Sequence, residues 1–243
     1  MNIYDSLRDR LEEIINVNGL SSEEIIIHSK ALSPEEAIGI TKRKDFPILT
    51  GKEIMLEANF KNAIGQAFTD SPTVFTGSLS DILKLDTKND PHAKGIFIAS
   101  LNAIMRYLDK TKGTIHCKNQ DVEICAEKFV DYIKEHYGDP KIGLIGFQPA
   151  LLDNLSKVFS LRVLDLNPDN IDKMKYGVFV EDGIKAYQDV VEWADLVLCT
   201  GSTICNGSVV NFIDIGKPVI FYGTTIAGAA EILGLKRLCF CSE

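Results

Sequence analysis

The chain has 243 residues, is 45% hydrophobic and carries a formal net charge of −8. This length and composition are typical of a folded globular protein with one large or two modest cores, and they disfavour a largely disordered chain. The net charge is −5 over residues 1–139 and −3 over residues 140–243. Neither half has the basic surface that binding to a phosphate backbone needs, so we expect no nucleic-acid partner.

Charged residues near the N-terminus fall where a signal peptide would need its apolar segment. No apolar run in the sequence approaches the length of a membrane span. The sequence therefore predicts a cytoplasmic protein with no membrane partner. Its six cysteines are expected to be thiols rather than disulfides in that compartment. The oligomeric state stays open, and a homo-oligomer is compatible with the sequence.

The first half of the chain predicts an opening helix, then mainly strands, then two helices. Apolar spacing and turn residues place these elements at residues 4–15 (helix), 25–27 (strand), 33–36 (helical turn), 53–68 (two strands), 97–108 and 122–133 (helices). Gly138-Asp139-Pro140 interrupts the last helical pattern. We place a domain boundary there, so that residues 1–139 form one domain and residues 140–243 a second.

Strands and helices alternate after this boundary. Strands are predicted at 141–147, 161–166, 196–200, 219–222 and 237–241, with a short additional one at 178–180; helices are predicted at 149–159, 168–175, 186–193, 203–215 and 225–233. Strands of almost continuous Val, Ile and Leu joined by helices indicate a parallel sheet that is covered on both faces. The second domain is therefore predicted to be Rossmann-like, and the fold class α/β.

Two similar strand-turn-helix segments stand out in the second domain. Their Gly/Ser/Thr turns follow neighbouring strands, and the carboxyl ends of parallel strands meet at one edge of the sheet, where helix N-termini offer unpaired N–H groups. These turns predict a site for an anionic or strongly polar ligand, although ordinary helix caps explain either turn alone. The candidate ligand-binding residues are Thr200, Gly201, Ser202, Thr203, Asn206, Gly223, Thr224 and Thr225.

Gly146 and Asp165 form a second candidate constellation at the ends of the first two strands of this domain. Their separation is close to that between a dinucleotide-binding loop and its ribose-binding acid. The loop lacks the remaining glycines, however, and Gln148-Pro149 follows Gly146. A tight turn with helix caps explains the pattern better than bound NAD does.

Thiol and imidazole side chains supply the remaining candidates. His116 and Cys117 lie in a connection between two helices, where they are free to face a cleft, and together with further donors they would suit zinc, copper(I) or another transition metal. Cys125 and Cys199 look like small buried hydrophobic residues. Cys205 falls in the first helical turn, where exposure would lower its pKa, and Cys239 and Cys241 are expected on one face of the last strand.

The second-domain turns carry a family resemblance. The segments 193–208, WADLVLCTGSTICNGS, and 217–227, KPVIFYGTTIA, resemble a bacterial and archaeal family of unknown function that is named for heavy-metal chelation. The resemblance implies a smaller α+β domain like the N-terminal domain of enolase, followed by a Rossmann-like domain, with the site in the cleft between them. Relatives often carry a Gly-Pro-Thr turn where this chain has Tyr222-Gly223-Thr224, and the resemblance implies no enolase chemistry.

Three functional hypotheses follow. The first is a protein that binds a small polar or anionic ligand or a metal complex in the interdomain cleft, for metal handling or chelation, with Asp165 as a further metal-facing donor. The second is an enzyme that uses a nucleotide or S-adenosylmethionine in the Rossmann-like domain, as Gly146 and Asp165 suggest. The third is a binding or sensing module without turnover.

Overall fold

The computed structural model of the protein describes residues 2–28, 32–50 and 53–243. The first half contains an antiparallel sheet of four strands in the order β3-β2-β1-β4, with helices around it. Its elements are α1 (Ile3–Val17), β1 (Glu24–His28), α2 (Pro34–Ile38), a 3-10 turn (Pro47–Thr50), β2 (Ile54–Phe60), β3 (Ala63–Thr69), β4 (Phe75–Ser78), α3 (Leu79–Leu83), α4 (Pro91–Tyr107) and α5 (Asp121–Tyr137).

The second half contains a sheet of seven strands. Its elements are β5 (Ile142–Ile145), α6 (Pro149–Ser156), β6 (Leu161–Asp165), β7 (Met174–Lys175), β8 (Val178–Asp182), α7 (Tyr187–Trp193), β9 (Leu196–Thr200), α8 (Thr203–Asn206), a 3-10 turn (Ser208–Phe212), β10 (Val219–Tyr222), α9 (Ala227–Leu233) and β11 (Arg237–Leu238). The predicted short strand at 178–180 is therefore confirmed, as part of β8.

The strand order β11-β10-β9-β5-β6-β8-β7 is that of a doubly wound fold. Numbered along the chain, its six parallel strands run 3-2-1-4-5-6, with only β7 pairing antiparallel, to β8. The predicted α/β class, a Rossmann-like parallel sheet preceded by an α+β part, is confirmed. The order reverses between β5 and β9, and ligands of such sheets bind outside the carboxyl ends of the strands at this switch point.

Helix α4 joins the two halves of the molecule. It packs against β2 and β3 on one side and against α8 and α9 on the other, which agrees with its being buried on nearly every face. Two glycines permit this close packing: a Cβ on Gly65 would lie 2.2 Å from the Ala103 nitrogen, and one on Gly228 would lie 2.4 Å from a Leu101 methyl carbon. One hydrophobic cluster consequently runs from α1 through α4 into the parallel sheet.

The C-terminal segment also returns to the first half. Residues 115 and 243 pair through two backbone hydrogen bonds of 2.9 and 3.0 Å, and the Phe240 ring packs edge-on against Phe129 of α5. The division at residue 140 stays a prediction, since the two halves share this packing. Within the described ranges, no helix is both long and apolar enough to cross a bilayer.

Three predicted elements are wrong in extent or type. Residues 168–172 form turns and Met174–Lys175 the strand β7 rather than a helix, because Asp172 and Tyr176 have positive φ and the Asn167 side chain accepts from the Asp169 N–H in a local turn. The helix predicted over 203–215 stops at Gly207, whose φ is +81°. The strand predicted over 237–241 ends at Leu238, so the expected alternation of Cys239 and Cys241 does not apply.

Candidate functional site

A pocket lies at the switch point of the parallel sheet, at the carboxyl ends of β5, β6, β9 and β10. Its water-accessible interior is about 130 Å³. Residues from both sides of position 140 line it, and many of them are apolar. The polar lining consists of turn residues, a pair of carboxyl groups, and a group of imidazole and thiol side chains.

The turn after β9 presents its hydroxyl groups to the pocket. The Thr200 and Ser202 hydroxyls are 2.8 Å apart and hydrogen-bonded to each other, and both residues line the pocket together with Gly201. The Gly201 N–H donates to the Tyr222 carbonyl at 2.7 Å, which holds this turn against the end of β10. A ligand can therefore compete for the hydroxyl groups without breaking the turn.

The turn after β10 is attached to the first half of the molecule. Gly223 and Thr225 line the pocket, but the Thr225 hydroxyl accepts from the Phe68 N–H at 3.0 Å. Buried Asn102 of α4 donates to the Thr225 carbonyl at 2.9 Å and accepts from the Gly228 N–H at 2.8 Å. This turn therefore shapes the pocket chiefly through its backbone.

Three predicted ligand-binding residues lie outside the pocket. Thr203 is buried, and its hydroxyl donates to the Thr200 carbonyl at 2.7 Å. Asn206 is exposed, and its side-chain oxygen accepts from the N–H and hydroxyl of Ser208. Thr224 is fully buried beneath the turn. Thr203 and Asn206 have these local roles because α8 is only four residues long, whereas the Thr224 hydroxyl has no hydrogen-bond partner among the described residues.

Gly146 and Asp165 do line the pocket together. The Asp165 carboxylate accepts from the N–H groups of Phe147 at 2.7 Å and Asn167 at 2.6 Å, so it holds the turns after β5 and β6. Gly146 has φ of +90°, and a Cβ there would lie 2.7 Å from a Thr200 carbon. Both carboxylate oxygens are thus already engaged with the protein's own backbone.

Glu53 is a pocket residue that sequence reasoning missed. It precedes β2 and lines the pocket beside Asp165. Burial, followed by the charges of Asp165 and Asp70, raises its pKa from an ordinary 4.5 to about 7. A carboxyl group outside any motif gives no sequence signal of this kind.

His116 and Cys117 line the pocket as predicted. The His116 Nδ1 is 2.6 Å from the Cys117 carbonyl oxygen. A carbonyl can only accept, so the hydrogen is on Nδ1 and the Nε2 lone pair is left available. Burial lowers the pKa of His116, which keeps the ring neutral near pH 7. Metal-binding histidines commonly have this arrangement, in which the second ring nitrogen donates to a backbone carbonyl.

Cys125 and Cys239 also line the pocket and were missed. The Cys125 thiol is close enough to the thiols of Cys117 and Cys239 to interact electrostatically with them. The interaction with Cys117, together with burial, raises the pKa of Cys125 to about 12. The condition set for a lowered pKa of Cys205, exposure of its thiol, is not met, and burial raises this pKa to about 12.

The carboxyl groups that line the pocket have no basic counterpart among the described lining residues. Among the described residues that line it there are two carboxyl groups and no Lys or Arg. In residues 2–28, 32–50 and 53–243, no three His, Cys, Asp or Glu side chains are grouped so that they could hold a metal ion by themselves. The pocket therefore offers donors of several kinds at separate points of its wall.

The strand order and the position of the pocket define a doubly wound α/β protein with a switch-point pocket, joined to an α+β part. Residues 128–234 match the family DUF364, which is described as "Putative heavy-metal chelation". The resemblance predicted from the two turn segments is thereby confirmed over the second half of the chain.

Two solved structures are similar to this chain. A DUF364-family protein of unknown function from Pyrococcus horikoshii is 16% identical, with a TM-score of 0.56, over 92% of this chain and 79% of its own. A second, from Desulfitobacterium hafniense, is 13% identical, with a TM-score of 0.49, over 74% and 72% of the respective chains. The first likeness concerns the fold. No curated protein matches this chain.

Proposed function

We propose that the pocket binds a small polar ligand in the form of a metal complex, and that the protein handles the metal in this form. The observation that carries the proposal is that one pocket is lined by a neutral, oriented imidazole, two carboxyl groups and two hydroxyl groups that bond to each other, with no Lys or Arg among the described lining residues. Such a lining favours neutral or cationic ligands over anionic ones.

The donors suggest how such a complex would be held. His116 would offer Nε2 to the metal, while Thr200 and Ser202 would hydrogen-bond the organic part of the ligand. Glu53 would accept a hydrogen bond or balance positive charge. A complex suits this pocket better than a bare ion, because the organic ligand brings donors of its own to complete the coordination of the metal.

Calorimetric titration with nickel tests this proposal. We expect the nickel–histidine complex to bind more tightly than the negatively charged nickel–citrate complex. Glu53→Gln should weaken binding of the histidine complex about tenfold, which corresponds to about 1.4 kcal/mol. The exposed residue Glu12 of α1 supplies the matched control, and Glu12→Gln should leave the affinity unchanged. Preference for the citrate complex, or equal binding by all three proteins, would contradict the proposal.

A nucleotide or S-adenosylmethionine enzyme remains a second candidate. The strand order of the sheet and the position of Asp165 at the end of β6 favour it. The engagement of Asp165 with the Phe147 and Asn167 backbone weighs against it. Thermal-shift measurements with ATP, NAD and S-adenosylmethionine separate the two. Stabilisation by one of these, lost in Asp165→Asn and kept in the exposed control Asp131→Asn, would support the enzyme.

A further inference from the structure

Three thiols from distant parts of the chain line the same pocket. Cys125 lies on α5, Cys117 precedes that helix, and Cys239 directly follows β11. All three line the pocket, and the Cys125 thiol is close enough to the other two to interact electrostatically with them. Cys241, two residues beyond Cys239, does not line it.

The C-terminal segment is fixed so that Cys239 stays beside α5. Backbone hydrogen bonds join Ile115 to Glu243 in both directions. The Phe240 ring centroid is 5.0 Å from that of Phe129, one turn of helix beyond Cys125. Cys239 therefore has a defined place at the pocket, although it lies outside any strand.

A half-buried cation stands next to this group. The Arg237 guanidinium interacts electrostatically with the Cys239 side chain and donates to the carbonyls of Gly223 at 2.8 Å and Gly113 at 2.6 Å. Two thiolates that bind one monovalent ion carry a net charge of −1, and burying that charge is costly unless a positive group is close. Arg237 supplies the positive charge at Cys239.

We propose that Cys125 and Cys239 bind a soft monovalent metal ion of the copper(I) class as a two-thiolate site, with Cys117 as the neighbouring thiol. Soft thiolate ligands select such ions, and two sulfur donors are sufficient for them. Binding breaks two S–H bonds and forms two S–metal bonds; both protons pass to solvent, and no electrons are transferred. The inference deepens the proposed function, on which it rests, by naming a class of metal.

Anaerobic copper(I) titration against a colorimetric copper(I) chelator tests the site. The wild-type protein should take copper from the chelator, whereas Cys125→Ser, Cys125→Ala and Cys239→Ser should each bind at least about tenfold more weakly. Cys241→Ser is the matched control on the same segment and should bind like the wild type. X-ray absorption of the copper-loaded wild type should show two sulfur neighbours. Circular dichroism and urea unfolding establish that each variant is folded.

Copper binding that survives in Cys125→Ser or Cys239→Ser, or copper with nitrogen or oxygen neighbours only, would overturn the two-thiolate site. The nickel–histidine titration of the same variants tests the proposed function separately, since that ligand is assigned to His116 and to the carboxyl groups of the pocket. Retained nickel–histidine binding with no copper binding overturns the thiol inference and leaves the proposed function standing. Thiol-dependent copper binding without nickel–histidine binding supports the thiol site and overturns the proposed form of the ligand.

Discussion

The turns after β9 and β10 have similar sequences but different roles in the structure. In the turn at 200–203, two hydroxyl groups bond to each other at the pocket surface. In the turn at 223–228, the polar groups bond to α4 and β3, mainly through Asn102 and Phe68. The comparison teaches that a Gly/Ser/Thr turn at a strand end can either present groups to a ligand or attach one part of a protein to another.

The largest loss of stability is expected at Asn102, which attaches the turn after β10 to α4. Asn102→Leu keeps the approximate volume but leaves the Gly228 N–H and the Thr225 carbonyl buried without their partner. We expect the free energy of unfolding to fall by about 3–5 kcal/mol, since each unsatisfied buried group costs about 1–3 kcal/mol. Urea unfolding measures the change.

Ser100 provides the control for this variant. It is buried on the same helix, but its hydroxyl donates only to the Ile96 carbonyl within α4. Ser100→Ala should cost less than about 1 kcal/mol. If the two substitutions were equally costly, the attachment of the second turn through Asn102 would be refuted.

A smaller effect, dependent on pH, is expected at Glu53. Its pKa is about 7 in the folded protein and near 4.5 ordinarily, so the folded state binds the extra proton between these values. The contribution of Glu53 to stability is therefore greatest below pH 4.5 and falls as the pH rises to about 7. Glu53→Gln should remove this dependence and be more stable than the wild type by about 3 kcal/mol at pH 8.

Urea unfolding at several pH values between 4.5 and 8 measures this difference in the ligand-free protein. Glu12→Gln serves again as the exposed control and should follow the wild-type curve. If the difference in free energy of unfolding between Glu53→Gln and the wild type does not change with pH, then the folded protein does not raise the pKa of Glu53.

Substitution of a glycine in either turn should lower the free energy of unfolding by a smaller amount than Asn102→Leu does. A Cβ on Gly201 would lie 2.8 Å from an Ile226 carbon and 3.0 Å from the Tyr222 oxygen, whereas Gly223 has open space but φ of +93°. We expect Gly201→Ala to cost about 2 kcal/mol through overpacking and Gly223→Ala about 1 kcal/mol through backbone strain. Denaturation midpoints that rank them in the reverse order would contradict the close contact between the turns.

The smallest stability effect is expected at Ser202. Its hydroxyl bonds only to the Thr200 hydroxyl at the pocket surface, so Ser202→Ala should change the free energy of unfolding by less than about 0.5 kcal/mol. Affinity for the nickel–histidine complex should nevertheless fall about fivefold, because a ligand hydrogen bond is lost. Ser208→Ala, at the far end of α8, is the control for both measurements, and an affinity loss equal to that of Ser208→Ala would refute the assignment.

Sequence reasoning located the turn side of the pocket because its signals are local. Continuous apolar strands predict a parallel sheet, and such a sheet places the residues after β9 and β10 at one edge. Thr200, Ser202 and Gly223 are found there. Thr203, Asn206 and Thr224 were less predictable, since the direction of each side chain depends on where α8 ends and on the packing of the second turn.

The opposite side of the pocket could not be predicted because it depends on long-range packing. Cys125 has the spacing of a core residue, and it is indeed buried in the core as well as at the pocket. Cys239 reaches the pocket only because the C-terminal segment returns to Ile115. Glu53 precedes a strand in another part of the chain, with no motif around it. The left-handed backbone at Asp172 and Tyr176 could not be predicted either, because neither residue is a glycine.

Anomalous diffraction from crystals grown with the nickel–histidine complex tests the central claim most directly, because it locates the metal itself. The account predicts one strong nickel peak inside the switch-point pocket, next to Nε2 of His116. Nickel found only at the exposed histidines His92 and His136, with none in the pocket, would contradict it.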